Sequence, residues 1–284
     1  MRRLGCLLLL ALTCPPAAAA QAPPGAQFAG GSITPSLNNL DRSSDVGITV
    51  GADGRSVTVR AMAAPRCART RFTEGDGRGT ARLAADGSFA VTVRGRRQVG
   101  ARRQRLRVTG TVDAAGARGT IRAVVRISGG RVCRSTFPWR AVPLTPPAGA
   151  PTAAPAGALL LGSTSDSARG PFGFNLRVSA DGRRIDRSLF TARRGCRRAV
   201  PPEETNYNPR IAIRPDGSFA NTELWRVRIG GRLERSRVVI TGQFVADGVT
   251  GTVRWTVVAR SPRTGRVVDR CDTGPLTFSA VVVG

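Results

Sequence analysis

The sequence contains no histidine and no lysine. Without histidine, the Ser-His-Asp and Cys-His routes to an activated nucleophile are excluded. Without lysine, Schiff-base and lysine-base chemistry is excluded as well. Aromatic residues make up 5% of the chain and include a single tyrosine, Tyr207, which leaves little material for base-stacking platforms. Beyond residue 20 no run approaches the ~20 apolar residues a membrane-spanning helix needs. There is also no CxxC pair and no histidine to complete a zinc site, so no metal or organic cofactor is expected. Proton transfer is left to 18 carboxylates and one tyrosine, with arginine as an anion clamp.

All 44 basic residues are arginine, and the net charge is +26. Two readings compete. A chain rich in Ala, Gly, Arg, Pro and Val and free of Lys looks like translation from a GC-rich genome, with arginine as the default solvated cation. The alternative is an anion-binding surface for nucleic acid, an anionic wall polymer or lipid headgroups.

Residues 1–20 read as a secretory signal peptide: Arg2 and Arg3 form the charged start, Leu4 to Leu12 the apolar run, and Ala18-Ala19-Ala20 the small-residue cleavage site. This places the protein outside the cytoplasmic membrane, secreted or envelope-associated; lipidation at Cys14 is the alternative. Four cysteines remain, Cys67, Cys133, Cys196 and Cys271. Four allow three pairings, and the economical one closes one disulfide per repeat, Cys67 to Cys133 and Cys196 to Cys271. Each loop of that length would stabilise its domain by roughly 4 kcal/mol in the chain-entropy model.

The chain contains one stretch twice, VTGTVDAAGARGTIR from Val108 and ITGQFVADGVTGTVR from Ile240, with seven of fifteen positions identical and no gap. It is therefore two copies of one domain. Residues 21–30 read as a flexible leader, 31–142 as the first copy, 143–157 as a Pro/Ala-rich linker, and 158–284 as the second copy. Apolar residues alternate with polar ones on both sides of Asp53-Gly54, Asp86-Gly87, Ala115-Gly116, Asp181-Gly182, Asp216-Gly217 and Asp247-Gly248, which is the signature of β-hairpins. No helical period is sustained. Seven or eight antiparallel strands per repeat predict an all-β chain of two tandem β-sandwich domains, with a small β-barrel as the other solution.

Four groups of residues stand out as candidate sites. The most highly charged segment is Arg94 to Arg107, where Arg94, Arg96, Arg97, Arg102, Arg103, Arg105 and Arg107 make a candidate anion-binding hairpin. Its counterpart in the second copy is diluted by Glu234. Glu203 and Glu204, with Glu223 near Trp225, are candidate carboxylates for glycoside hydrolysis. Glu74-Gly75-Asp76 and the segment Asp269 to Asp272 are short acidic spacings without a calcium-loop pattern around them. Trp139, Trp225 and Trp255 suit core or half-buried sheet positions better than carbohydrate platforms. The aspartates that precede glycine are expected to bond their own turns.

The succession DGSFA, then [VI]-T-G-x-[VF], then G-T-[IV]-R, a cysteine and an aromatic closing strand resembles a repeat of secreted actinobacterial proteins. The resemblance covers both copies and implies an exported β-domain; it transfers no catalytic residue. The expectation is a non-enzymatic, exported binding or structural module. Its partner would be an anionic envelope polymer or another envelope protein; nucleic acid is an odd partner for an exported chain. The alternatives are a carboxylate-dependent hydrolase of wall polysaccharide and arginine-mediated polyanion binding.

Overall fold

The computed structural model describes residues 21–32, 44–63, 75–95, 101–127, 132–165, 171–193, 195–196, 203–208, 210–229 and 231–283. The described residues contain strands and turns and no helix. Eight strands come first: β1 (Gln27–Ser32), β2 (Ser44–Val50), β3 (Ser56–Ala63), β4 (Gly75–Arg82), β5 (Ser88–Gly95), β6 (Ala101–Val112), β7 (Ala117–Ile127) and β8 (Val132–Pro143). Each pairs antiparallel with the next, and β8 returns to β1, so the sheet closes into a barrel. Closure removes both edges and the aggregation hazard that edges carry. Of the two expected architectures the barrel is the one formed, and the sandwich is not. Gln27 to Gly30, read in the sequence as part of a flexible leader, belong to the strand that completes the barrel.

The repeated stretch shows why the sheet curls rather than stacking as two layers. Gly110 on β6 faces Gly119 on β7, between the Thr109–Thr120 and Thr111–Arg118 pairs. A Cβ at Gly119 would lie 1.9 Å from the Thr109 carbonyl oxygen, and one at Gly110 would lie 2.6 Å from Cζ2 of Trp139. The paired glycines therefore let the strands approach closely and coil sharply while an indole covers the bare backbone. The interior is filled by Phe28, Ile48, Val59, Leu106, Ile121 and Phe137, all buried. Trp139 packs there against Phe89 at 6.2 Å.

The second copy repeats this plan with two of its strands broken. It consists of β9 (Leu159–Thr164), β10 (Phe172–Val178), β11 (Arg184–Arg193), β12 (Glu203–Asn208), β13 (Ile211–Ala212), β14 (Ser218–Ile229), β15 (Arg232–Val245), β16 (Gly248–Arg260), β17 (Val267–Asp272) and β18 (Leu276–Val282). Both β12 and β13 pair with β11, as the unbroken β4 does with β3; β17 and β18 both pair with β16, as β8 does with β7. The barrel closes at one end through the Ile213–Phe219 bridge between the β13 and β14 segments. The glycine pair recurs as Gly242 and Gly251, where a Cβ would meet the rings of Phe219 and Phe278 at 2.3 and 2.5 Å. Phe278 stacks in turn on Phe174, with ring centroids 3.8 Å apart.

The Cys196–Cys271 disulfide forms as expected and ties the end of β11 to β17. Cys133 is buried and disulfide-bonded, while Cys67, its expected partner, lies outside the described residues. The Pro/Ala-rich linker is laid along the second barrel: the Thr152 N–H donates to the Phe244 carbonyl at 3.0 Å, and Pro151 bridges Val245. Four of the hairpin aspartates do what their glycine neighbours suggest, whereas Asp247, on the turn between β15 and β16, forms no such bond. Asp53 accepts from the N–H groups of Arg55 and Ser56, Asp181 from Arg183, and Asp86 and Asp216 from Ser88 and Ser218. These bonds hold all four carboxyls below the usual carboxylate range, the first cause being a backbone N–H except at Asp181, where it is the Ser179 hydroxyl.

The barrels meet along a seam in which β1 faces β9 and β10, and β2 faces β10. Outward-pointing residues of both barrels are buried there. Met62 packs on Leu189 and Leu159, and the Arg60 guanidinium lies 3.4 Å above the Phe172 ring. At the centre is Asp45, buried, accepting from the Gly173 N–H at 2.9 Å and from the Thr191 hydroxyl. A Cβ at Gly173 would lie 2.3 Å from the Asp45 carboxylate, so only glycine admits the acid. Beside it Asn175, fully buried, donates through Nδ2 to the Gly30 carbonyl at 3.4 Å. Burial raises the Asp45 carboxyl from 3.8 to about 6, against the Thr191 bond, the Arg60 charge and the Gly173 bond, all of which favour the ionised form.

Candidate anion-binding face

Because the interiors of both barrels are packed with side chains and the seam occupies β1, β2 and the end of β3, the solvent-facing wall of the first barrel runs from β3 to β8. Side chains alternate along each strand, so the register decides which outward residues become neighbours. Arg60 on β3 faces Arg78 on β4, Arg78 faces Arg94 on β5, and Arg94 faces Arg105 on β6. The line continues through Val124 on β7 to Arg134 on β8. Arg78, Arg94, Arg105 and Arg134 are exposed, and Arg60 is half-buried where the line enters the seam. Five arginines thus form one transverse row across six adjacent strands.

A second row lies two residues along each strand. Thr58 faces Thr80 with their hydroxyls 3.2 Å apart, and Thr92 faces Arg107, which faces Arg122, which faces Thr136. Guanidinium groups and hydroxyls are both hydrogen-bond donors to oxyanions. Among the described side chains of the first barrel, the acids other than Asp45 are the turn residues Asp53, Asp86 and Asp113, each bonded to its own loop. No ion pair to Arg78, Arg94, Arg105 or Arg134 occurs among the described residues. Like charges directly opposite on neighbouring strands are destabilising, by a few tenths to 1 kcal/mol per pair. The row therefore costs the fold stability.

The second barrel shows that the fold does not require it. At the positions matching Arg94, Arg105, Val124 and Arg134 it carries Leu224, Arg237, Thr256 and Asp272 in the same register. There Asp272 accepts two bonds from Arg254, at 3.0 and 2.5 Å, and is held below the usual carboxylate range chiefly by that pairing. A shorter row, Arg226 facing Arg235 and then Val258 and Arg270, is the second barrel's nearest equivalent.

Of the seven arginines singled out in the sequence, the structure brings Arg94 and Arg105 into direct opposition and sets Arg107 beside them. Arg96 and Arg97 lie outside the described residues, as do the side chains of Arg102 and Arg103. Arg60, Arg78, Arg122 and Arg134 escaped the sequence reading because they sit on other strands, and their only sequence signal is outward parity beside alternating apolar residues.

The other sequence candidates separate. Glu223 and Trp225 both turn toward the inside of the second barrel and are half-buried; Trp225 packs on Trp255 at 5.9 Å, and burial raises the Glu223 carboxyl above its ordinary value. Glu203 and Glu204 lie on β12, with side chains outside the described residues. Asp269 points inward and is buried whereas Asp272 points outward, so the two cannot converge on one ion. The side chains of Glu74 and Asp76 lie outside the described residues, and no group of three potential metal ligands occurs among the described ones. Trp139 and Trp255 are buried.

Comparison with known proteins adds little to this picture. No family model matches the chain. No curated protein matches it either. Among solved structures, kievitone hydratase from Nectria haematococca aligns over 92% of this chain and 91% of its own, at 8% identity and a TM-score of 0.21, too slight a likeness to carry any inference.

Proposed function

We propose that the protein is an exported, non-enzymatic binding module of the cell exterior or envelope that holds an anionic polymer against the outer wall of its first barrel. The observation that carries this reading is the row Arg78, Arg94, Arg105 and Arg134, aligned by register and matched by no acid among the described side chains. A solvated surface in a GC-rich chain would scatter its arginines and pair them, as Arg254 pairs with Asp272 in the second barrel. Here four exposed cations are kept in line, and an anionic partner is what offsets their repulsion. The signal-peptide pattern of residues 1–20 and the Cys196–Cys271 disulfide support export to an oxidising compartment.

The test is retention on an immobilised polyanion as salt is raised. The wild-type protein should elute with a salt slope of about 3, the value for about four contacts at ~0.7 to 0.9 each. The double variant Arg94→Gln with Arg105→Gln should elute earlier with a slope lower by about 2. Equal retention of the double variant and the wild type would rule the row out as the binding face.

A further inference from the structure

The shape of the row restricts the kind of anion it can take, and on this basis, resting on the anion-binding reading above, we propose that the ligand is a flexible linear polyanion that wraps around the first barrel across its strands. Arg78 and Arg134 stand on β4 and β8, so the exposed row covers four of the eight strand-to-strand steps that close the barrel. At ~4.8 Å per step it is about 19 Å long. Because barrel strands are tilted by ~35 to 45° to the axis, a line perpendicular to them climbs as a spiral over about half of the girth.

A flat anionic surface touches a convex barrel along one or two strands. A bilayer could therefore meet Arg94 with Arg78 or Arg105, while Arg134, three strands from Arg94, points away. A stiff duplex is straight on this scale, since its persistence length is ~50 nm. A single flexible chain can follow the curve and reach every guanidinium in turn. The threonine line Thr58, Thr80 and Thr92, with Thr136 beyond Arg107 and Arg122, offers hydroxyl partners along the same path. With no aromatic side chain on these two rows, recognition rests on charge and hydrogen bonding rather than stacking, which suits a polymer whose repeat is an oxyanion. The seam covers β1 and β2 and holds Arg60 against Phe172 of the second barrel, so the path ends at Arg78.

Inorganic polyphosphate of graded chain length is the probe, with phosphatidylglycerol/phosphatidylcholine vesicles at equal total anion as the flat comparator. Affinity for the full-length protein should tighten with chain length, by at least tenfold overall, until the polymer spans the row, and then level off. Arg134→Gln, at the far end, should weaken binding of spanning chains severalfold and of short chains by less. Arg94→Gln, at the middle, should weaken both. Vesicles should bind no better than the shortest chains. Affinity that does not depend on length, or vesicles that bind as well as spanning chains, would overturn wrapping; if either pattern is still lost in Arg94→Gln with Arg105→Gln, the anion-binding reading survives it. Absence of binding to both probes would overturn the two together.

Discussion

Acidification should strengthen this protein before it weakens it, and the reason is Asp45. Its carboxyl is raised from 3.8 to about 6 by burial in the seam, so the folded protein holds that proton more tightly than the unfolded chain does. The stabilisation from the proton is fully present below 3.8 and is lost as pH rises through about 6. The whole effect is worth about 3 kcal/mol, of which about 1.3 kcal/mol should appear between pH 7 and pH 5. The turn aspartates Asp53, Asp86, Asp181 and Asp216 work in the opposite sense, because their folded-state values are lowered; what they contribute is lost only below 3.8. Glu223 is raised and adds in the same direction as Asp45, so a variant is needed to isolate the seam. Arg60, whose charge acts on Asp45, stays charged throughout. In Asp45→Asn the amide oxygen can still accept from Gly173, while the titration is gone. Urea unfolding followed by tryptophan fluorescence at pH 7, 6 and 5 reads Trp139 in one barrel and Trp225 and Trp255 in the other. Wild type should gain about 1.3 kcal/mol from pH 7 to pH 5, and Asp45→Asn should gain clearly less. A wild type that loses stability over this range, or a variant with an identical gain, would refute the assignment.

Replacing Cys196 and Cys271 by serine opens a loop of 75 residues and should cost about 4 to 5 kcal/mol in the chain-entropy model, seen as a lower urea midpoint for Trp225 and Trp255 with Trp139 less affected. Gly119→Ala puts a methyl 1.9 Å from a backbone oxygen that cannot rotate away, so it should cost more than about 2 kcal/mol, whereas Thr92→Ala on the exposed face should stay within about 0.5 kcal/mol by thermal denaturation. Arg94→Gln relieves two facing arginines and should stabilise the first barrel by a few tenths of a kcal/mol at low salt, the gain shrinking at 0.5 M salt. The same change should weaken polyanion binding, an exchange of binding for stability that a neutral surface position would not show.

The hairpins were legible because each carries its own chemistry: an aspartate that bonds its turn, a glycine after it, and alternating apolar residues on either side. Duplication was legible because the Gly110–Gly119 device needs the same residues wherever it occurs. The choice between barrel and sandwich was not, because closure depends on how far the strands coil, and that is set by the glycine pairs and the rings covering them rather than by the hydrophobic period. The linker read as a spacer because proline and alanine show no periodicity, yet its backbone bonds to the second barrel. The arginine hairpin was legible as a run of charge. Its extension to Arg60, Arg78 and Arg134 was not, because residues spaced irregularly along the chain become neighbours only through register.

Asp45 and Gly173 stand the same number of residues ahead of the equivalent turns at Asp53 and Asp181, so each occupies the place of the other in its own copy. Two identical single barrels meeting through this face would have to oppose acid to acid or glycine to glycine. The first arrangement repels and the second leaves no acceptor for the amide. Joining the copies in one chain lifts that restriction: one half keeps the acceptor and the other keeps the bare N–H that fits it. The seam is thereby specific for the unlike pair, and each half finds its complement within its own molecule sooner than in a neighbour.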